Sequence, residues 1–268
     1  MTQMDAAPQP APRRLDPQIA RIGVADVVEA FAAGLRDFQA APLYGLFFGG
    51  IYALGGLFIL MSVTRLGMPY LAYPLAAGFV LIGPFVAVGL YEVSRRRERQ
   101  ETLRWSGILG VVLAQGRREL SWMAFVALFV MMIWLYQVRL LLALFLGFQS
   151  FASFGGFLTV LATTPEGLMF LAVGNLVGAV LATVLFSLTV VSFPLLLDRE
   201  VDFITAMITS VRAVALNPVP MLGFAAAIVA LSLVAMLPAF LGLVVILPVL
   251  GHATWHLYRR VVLPPAPC

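Results

Sequence analysis

Apolar residues fall into six long runs along the chain, separated by shorter polar segments. A helix that crosses a bilayer needs about 20 mostly apolar residues, and each run comes close to that length. The pattern therefore predicts six membrane-spanning helices, at Leu43–Val63, at Tyr70–Leu90, at Leu120–Val138, within Leu168–Leu197, at about Pro220–Met236 and at Ala239–Trp255.

Two further segments have the 3.6-residue apolar period of a helix with one apolar face. They lie at residues 27–38 and 203–214, and each is followed by a proline, Pro42 or Pro218, just before a predicted span. We expect both to form amphipathic helices in the plane of the lipid headgroups. A weaker apolar stripe precedes the third span.

The two ends of the chain resemble each other. A shift of 176 residues aligns Pro42 with Pro218, and a shift of 164 residues aligns Pro84 with Pro248. This internal similarity predicts an all-α membrane protein of three repeated hairpins with cytoplasmic amphipathic helices. The predicted organisation is a disordered tail at 1–18, a membrane domain at 19–262 with units at about 20–97, 104–199 and 200–260, and a tail at 263–268.

Composition supports a membrane protein. Hydrophobic residues make up 62% of the chain and charged residues 11%, against about half and a quarter in soluble domains. These values exclude a soluble globular enzyme and a disordered chain. The single cysteine, Cys268, rules out an intrachain disulfide. No nucleotide-binding, metalloprotease or serine-hydrolase motif occurs, so we expect a protein without catalytic activity, cofactor or nucleic-acid partner.

The distribution of charge predicts the orientation. All 17 basic residues are arginines, and 15 of them lie before the first span, after the last, or in the two loops that follow the second and fourth spans. The positive-inside rule then puts both chain ends in the cytoplasm, which suits a bacterial inner-membrane protein. The other two arginines, Arg65 and Arg139, are then expected on the opposite side of the membrane. Arg139 lies about 27 Å along a helix from Ser121, near the far interface, where it can snorkel; the alternative is a charge lining a pathway.

His252 and His256 are the only histidines, and their spacing puts them on one face of the last helix. They are candidates for a metal or haem site, with Glu92, which aligns with His256 in the repeat, as a third ligand. The competing interpretation is an interfacial anchor of aromatic and basic residues.

Other polar residues lie next to or inside the spans. Asp198, Arg199 and Glu200 follow the fourth span and form either a local ion pair or part of a proton or ion relay. Asp202 is predicted to cap the next helix. Asn175 lies inside the fourth span, where a polar cavity around it would indicate transport.

Four stretches together resemble the DUF2189 family of bacterial integral membrane proteins, which are sometimes labelled as cytochrome c oxidase subunits. They are Gly34–Phe38 with Pro42, Ser192–Glu200, Asn217-Pro218 and Gly251–Arg260. The resemblance implies no ligand or catalytic residues. Two histidines on one helix cannot serve a catalytic oxidase subunit, which needs histidines on several helices.

These observations favour a non-catalytic protein of the bilayer that associates with a respiratory or photosynthetic membrane complex as an accessory. A small-solute or ion transporter is the first alternative, since repeats and prolines within spans (Pro84, Pro194 and Pro248) are typical of transporters. A metal- or haem-handling factor using His252 and His256 is the second.

Overall fold

The computed structural model describes residues 17–65, 72–115, 119–147 and 154–264. Most of the tail predicted at 1–18, and residues 265–268 of the tail predicted at 263–268, lie outside this part. The described residues form eleven helices and no strand. The helices are α1 Val24–Ala40, α2 Pro42–Thr64, α3 Ala72–Glu98, α4 Trp105–Gln115, α5 Leu120–Leu146, α6 Phe154–Thr163, α7 Pro165–Thr189, α8 Ser192–Asp198, α9 Phe203–Leu216, α10 Pro218–Met236 and α11 Leu243–Val261.

Four helical stretches within the described residues are long and apolar enough to cross a membrane. They are Pro42–Ser62, Leu120–Leu146, Pro165–Asp198 and Pro218–Met236. These correspond to the first, third, fourth and fifth predicted spans, so the all-helical membrane class is confirmed. The second and sixth predicted spans fall in α3 and α11, which carry arginines in their last turns.

A proline starts the helix after each predicted amphipathic segment. Pro42 begins α2 and Pro218 begins α10, and proline disfavours the helical conformation in the residue before it. Ala41 (φ −137°, ψ 54°) and Asn217 (φ −128°, ψ 53°) have nearly the same backbone geometry. The chain therefore turns in the same way at both points.

The fourth predicted span is interrupted. α7 ends at Thr189 and α8 begins at Ser192. Pro194 contributes to the break, because it lacks an N–H and its ring clashes with the carbonyl four residues earlier. The Ser210 hydroxyl of α9 accepts a hydrogen bond of 3.1 Å from the Val191 amide at the break. By contrast, α3 and α11 continue as helices through Pro84 and Pro248.

Two predicted span boundaries differ from the structure. The sixth span was expected from Ala239, but α11 begins at Leu243, because Ala239 (φ 49°) and Phe240 (φ 67°) have left-handed backbones that end a helix. The third span was expected to end at Val138, but the apolar sequence continues the helix to Leu146. Arg139 therefore lies inside α5 rather than at its end.

α3 and α11 lie at the centre of the bundle. They pack against each other and against α2 and α8. α1 packs along α11, and the approach is close at Gly34, where a Cβ atom would lie 2.6 Å from the Ala253 amide nitrogen. The largest buried side chains include Trp255 and Tyr258 of α11. The core thus concentrates at the arginine-bearing ends of α3 and α11.

Candidate functional site

Charged side chains gather where the ends of α1, α3, α8 and α11 meet. The sequence puts arginines and acids on the last turns of α3 and α11, and the packing of these helices brings them together. Glu92, Ser94 and His252 are fully buried there. We call the charged and polar side chains at these helix ends the polar end cluster. It has two parts, one centred on Asp37 and the other on Asp198.

Asp37 links three helices. Its carboxylate accepts hydrogen bonds from Arg97 Nε of α3 (2.8 Å) and pairs with His256 Nε2 of α11 (2.8 Å). Burial raises the pKa of Asp37, but hydrogen bonds from His256, Ser94 and Arg97 outweigh it and lower the pKa to about 2. Asp37 therefore remains charged at neutral pH and holds α1 against α3 and α11.

Ser94 extends this group to the second histidine. Its Oγ lies 2.8 Å from His252 Nδ1, while Nε2 of His252 is buried and makes no hydrogen bond with the described residues. The two histidines thus contact different partners, His252 the hydroxyl of Ser94 and His256 the carboxylate of Asp37.

Asp198 is the centre of the second part. Its carboxylate accepts a hydrogen bond of 2.8 Å from the Tyr258 hydroxyl and pairs with Arg99 and Arg259. Burial, together with the charge of Asp198, raises the pKa of Tyr258. Glu98 joins the same part, because it accepts hydrogen bonds from Trp255 Nε1 (3.1 Å) and Arg259 Nε (2.9 Å).

Glu92 does not join the histidines. It forms ion pairs of 2.6 Å with Arg95 and Arg96, one turn further along its own helix. Arg95 also donates to the Leu197 carbonyl at the end of α8. The structure thus gives each member of the suggested metal trio a separate partner, and it contains no group of three or more potential ligands among the residues it describes.

The residues that follow α8 have local roles. Asp202 caps α9, accepting a hydrogen bond of 2.9 Å from the Thr205 amide, and this bond lowers its pKa. That prediction is confirmed. Arg199 donates to the Leu263 carbonyl, whereas Asp198 pairs with Arg99 and Arg259. Arg199 and Glu200 line a cavity of about 310 Å³ beside Arg95 and Gln115.

Asn175 and Arg139 lie away from the polar end cluster, along α7 and α5. Asn175 Nδ2 donates to the Leu171 carbonyl of its own helix (2.7 Å), and its side chain lines a cavity of about 270 Å³ together with Gln137. Arg139 is exposed and lines a separate cavity of about 480 Å³ with Tyr136.

Several residues of this arrangement were not predicted. Asp37, Ser94 and Glu98 carry the contacts of the cluster but were not predicted as site residues. Asp37 lies on the buried face of α1 with Ala30 and Gly34, and no signal in the sequence identified this face. Asn217 was noted only beside its proline; its side chain is buried and bonds the Ile22 amide (2.8 Å) and the Ala20 carbonyl (3.0 Å).

Ion pairs hold all the carboxylates of the polar end cluster that are described above. Each of its carboxylates, Asp37, Glu92, Glu98 and Asp198, has at least one arginine partner. The lowered pKa of Asp37 makes its carboxylate a poor proton acceptor at neutral pH. What the arrangement does chemically is to neutralise charge where four helices meet.

The combination of an all-helical fold, membrane-length apolar helices and charges held at one end defines an integral membrane protein. Residues 72–198, which run from α3 to α8, match the model of a family described as predicted integral membrane protein (DUF2189). The match covers 127 of the 268 residues and agrees with the family resemblance found in the sequence. No curated protein and no solved structure matches the chain.

Proposed function

We propose that the chain crosses the bacterial inner membrane six times, with the polar end cluster and both chain ends on the cytoplasmic side. α3 and α11, the two additional spans, have arginines in their last turns, as expected for helices that end in the cytoplasm. The first and last segments that the structure describes also lie side by side, since Ile19 and Val262 form an antiparallel bridge.

Helix packing supports three related units within this topology. α1 packs against α11, α4 against α3, and α9 against α7 and α8. Each helix that starts the second or third unit therefore contacts the second span of the unit before it. In the same way α1, which starts the first unit, contacts α11, the second span of the third unit.

Burial supports the same relationship between α1 and α9. Ala30 and Ala206, which align in the repeat, are both fully buried. Val28 and Ile204, which also align, are exposed. A helix that buries small residues against the bundle and exposes apolar ones suits the cytoplasmic surface of a bilayer, where the exposed side enters the acyl boundary.

Within the membrane, the protein acts as a non-catalytic accessory that binds another integral membrane protein, in a respiratory or photosynthetic complex. The observation that carries this proposal is the outward face of α5. Only 11% of the most apolar stretch of α5 is buried inside the protein. The exposed side chains Phe125, Phe129 and Tyr136 form an aromatic stripe along it, at intervals of four and seven residues.

Two polar groups on this face need partners. The Tyr136 hydroxyl and the Arg139 guanidinium make no hydrogen bond or ion pair with any residue in the described ranges. A guanidinium surrounded by lipid is costly, and a tyrosine hydroxyl usually has a partner when it is removed from water. A partner helix with a carboxylate or carbonyl at the depth of Arg139 would satisfy both.

The alternatives have less support. Transporter sites are typically built around interrupted helices, and only Pro194 interrupts a predicted span, whereas α3 and α11 continue through their prolines. The cavity beside Asn175 contains one other polar side chain, Gln137, and is otherwise lined by apolar residues. A metal or haem role would need His252 and His256 to share a ligand site, and each already has a different partner.

Purification from native membranes in mild detergent tests the accessory role, with a visible spectrum and mass spectrometry of all retained proteins. We expect one integral membrane protein of an oxidoreductase or light-harvesting complex at a stoichiometric level. Arg139→Leu removes a charge that lipid disfavours, so it should preserve folding while releasing this partner. Leu233→Ala, at an exposed position on α10, is the matched control and should retain it.

Two outcomes would overturn the accessory role. A solitary, colourless protein would favour transport instead. A partner that Arg139→Leu retains as well as the control does would show that α5 is not the contact surface.

A further inference from the structure

A groove runs between α5 and α7, on the side of α5 away from the aromatic stripe. It consists of two adjoining cavities of about 300 Å³ and 270 Å³, and Trp134 lines both. The Trp134 ring lies over Gly178, so closely that a Cβ atom there would be 2.7 Å from the ring. Each cavity is close to the lower limit of small-ligand sites, about 300 Å³.

The two cavities differ in chemistry. Apart from Trp134, the larger is lined only by aliphatic side chains, methionine and glycine, including Ala127, Ala182 and Leu185. The smaller contains two carboxamides, Gln137 and Asn175. Neither cavity is lined by a charged side chain.

The carboxamides have unused hydrogen-bonding capacity. Gln137 makes no hydrogen bond with any described residue. Asn175 donates once to its own helix, and its Oδ1 has no partner in the described part of the chain. A carboxamide has two donor hydrogens and an acceptor oxygen, and leaving these unpaired within hydrocarbon is costly.

The carboxamides lie at one level of the hairpin. Gln137 is nine residues before the end of α5, and Asn175 is ten residues after the start of α7. These separations correspond to about 14 Å and about 15 Å along the two helices. The apolar cavity continues from this level towards the polar end cluster. The groove is therefore polar at one end and apolar along the rest.

We propose that this groove binds a membrane amphiphile with a neutral, oxygen-bearing head and a linear apolar tail. The head offers a carbonyl or hydroxyl oxygen to Gln137 and Asn175, and the tail lies in the apolar cavity beside Trp134. The absence of charged lining residues disfavours a phosphate head. Isoprenoid quinones and diacylglycerols share the required chemistry.

The test uses the purified protein in nanodiscs of a single phosphatidylcholine, so it does not depend on the accessory role. A benzoquinone with a short isoprenoid tail is added, and tryptophan fluorescence is recorded. A quinone bound beside Trp134 quenches that residue, so we expect saturable quenching whose saturable part is lost in Trp134→Phe. Competition by a short-chain diacylglycerol then distinguishes the two head chemistries: displacement shows that either head is accepted, and its failure restricts the site to the quinone head.

Substitutions at the two ends of the groove test the assignment separately. The double variant Gln137→Leu with Asn175→Leu should weaken quinone binding by about tenfold or more, as expected when one or two hydrogen bonds are lost. Ala182→Phe fills the apolar cavity and should weaken quinone binding to a similar degree. Thr183→Val and Val180→Phe change exposed residues of α7 outside the groove and should leave binding unchanged.

The proposal fails if quenching rises linearly with quinone in all proteins, as expected for simple partitioning into the bilayer. It also fails if the groove variants, shown by thermal unfolding to be folded, bind as tightly as Thr183→Val and Val180→Phe. In that case a transmembrane helix of another protein becomes the better candidate for the groove.

Discussion

At the scale of single residues, local contacts could be predicted from the sequence and distant ones could not. Asp202 was expected to cap α9 and does so, because a cap and its amide are only a few residues apart. His256 was noticed as half of a histidine pair, yet its partner is Asp37, 219 positions away. A charge on an amphipathic helix gives no sign of which distant helix it meets.

The ion pairs of Asp37 predict a pH-dependent stability. Its pKa in the folded protein is about 2, below its ordinary value of about 4, so its contribution is complete above pH 4 and is lost as the pH falls towards 2. Asp37→Asn should lower the free energy of unfolding by about 2 kcal/mol at pH 7. Near pH 2 the variant and the wild type should differ much less.

Denaturant unfolding in detergent at pH 7 and pH 2.5 measures this difference. Glu29→Gln is the control, since Glu29 lies on the same helix and its pair with Arg36 is solvent-exposed. If Asp37→Asn lowered the free energy of unfolding equally at both pH values, the charged form of Asp37 would not be the source of the stability.

At the scale of helices, the apolar runs of the sequence predicted which helices exist better than they predicted where each helix begins and ends. The fourth run was predicted as one span, but Pro194 divides it into α7 and α8. Pro84 and Pro248 have the same local chemistry and leave α3 and α11 undivided. The difference lies in tertiary contacts, because at the α7–α8 break Ser210 accepts the hydrogen bond of the Val191 amide.

Ser210→Ala should therefore destabilise the protein. It leaves the Val191 amide buried without a partner, which costs about 1–3 kcal/mol. Ser187→Ala removes a hydroxyl that bonds only to a carbonyl of its own helix and should have little effect. Thermal unfolding of both variants in detergent measures the difference, and equal melting temperatures would show that the break does not depend on Ser210.

The docking of α1 on α11 depends on Gly34. A methyl group there would meet the backbone of Ala253 and Val249 at less than 3 Å, so Gly34→Ala should force the helices apart and cost about 1–3 kcal/mol. Gly50→Ala on α2 has free space and should be neutral or stabilising by up to about 1 kcal/mol. Limited proteolysis of the segment before α2 should be faster in Gly34→Ala alone; equal rates in the two variants would contradict the close packing.

At the scale of the whole molecule, the sequence predicted the class of protein and four of its membrane-length helices. It predicted the polar end cluster only in part: Glu92 and Asp198 were singled out beside the arginines of α3 and α11, but Asp37 and Glu98 were not, and the pairing of these residues depends on how distant helices pack. The six-span topology remains the proposal on which the orientation of the cluster, the outward face of α5 and the α5–α7 groove all depend.

Cysteine accessibility tests that topology most directly. In a Cys268→Ser background, single cysteines replace Arg65 between α2 and α3, Glu101 between α3 and α4, Leu237 between α10 and α11, and Leu263 after α11. Intact spheroplasts are then treated with a membrane-impermeant maleimide. If α3 and α11 both cross, Arg65→Cys and Leu237→Cys react from outside, and Glu101→Cys and Leu263→Cys react only after the membrane is opened. Labelling of Arg65→Cys and Glu101→Cys from the same side would contradict the six-span account.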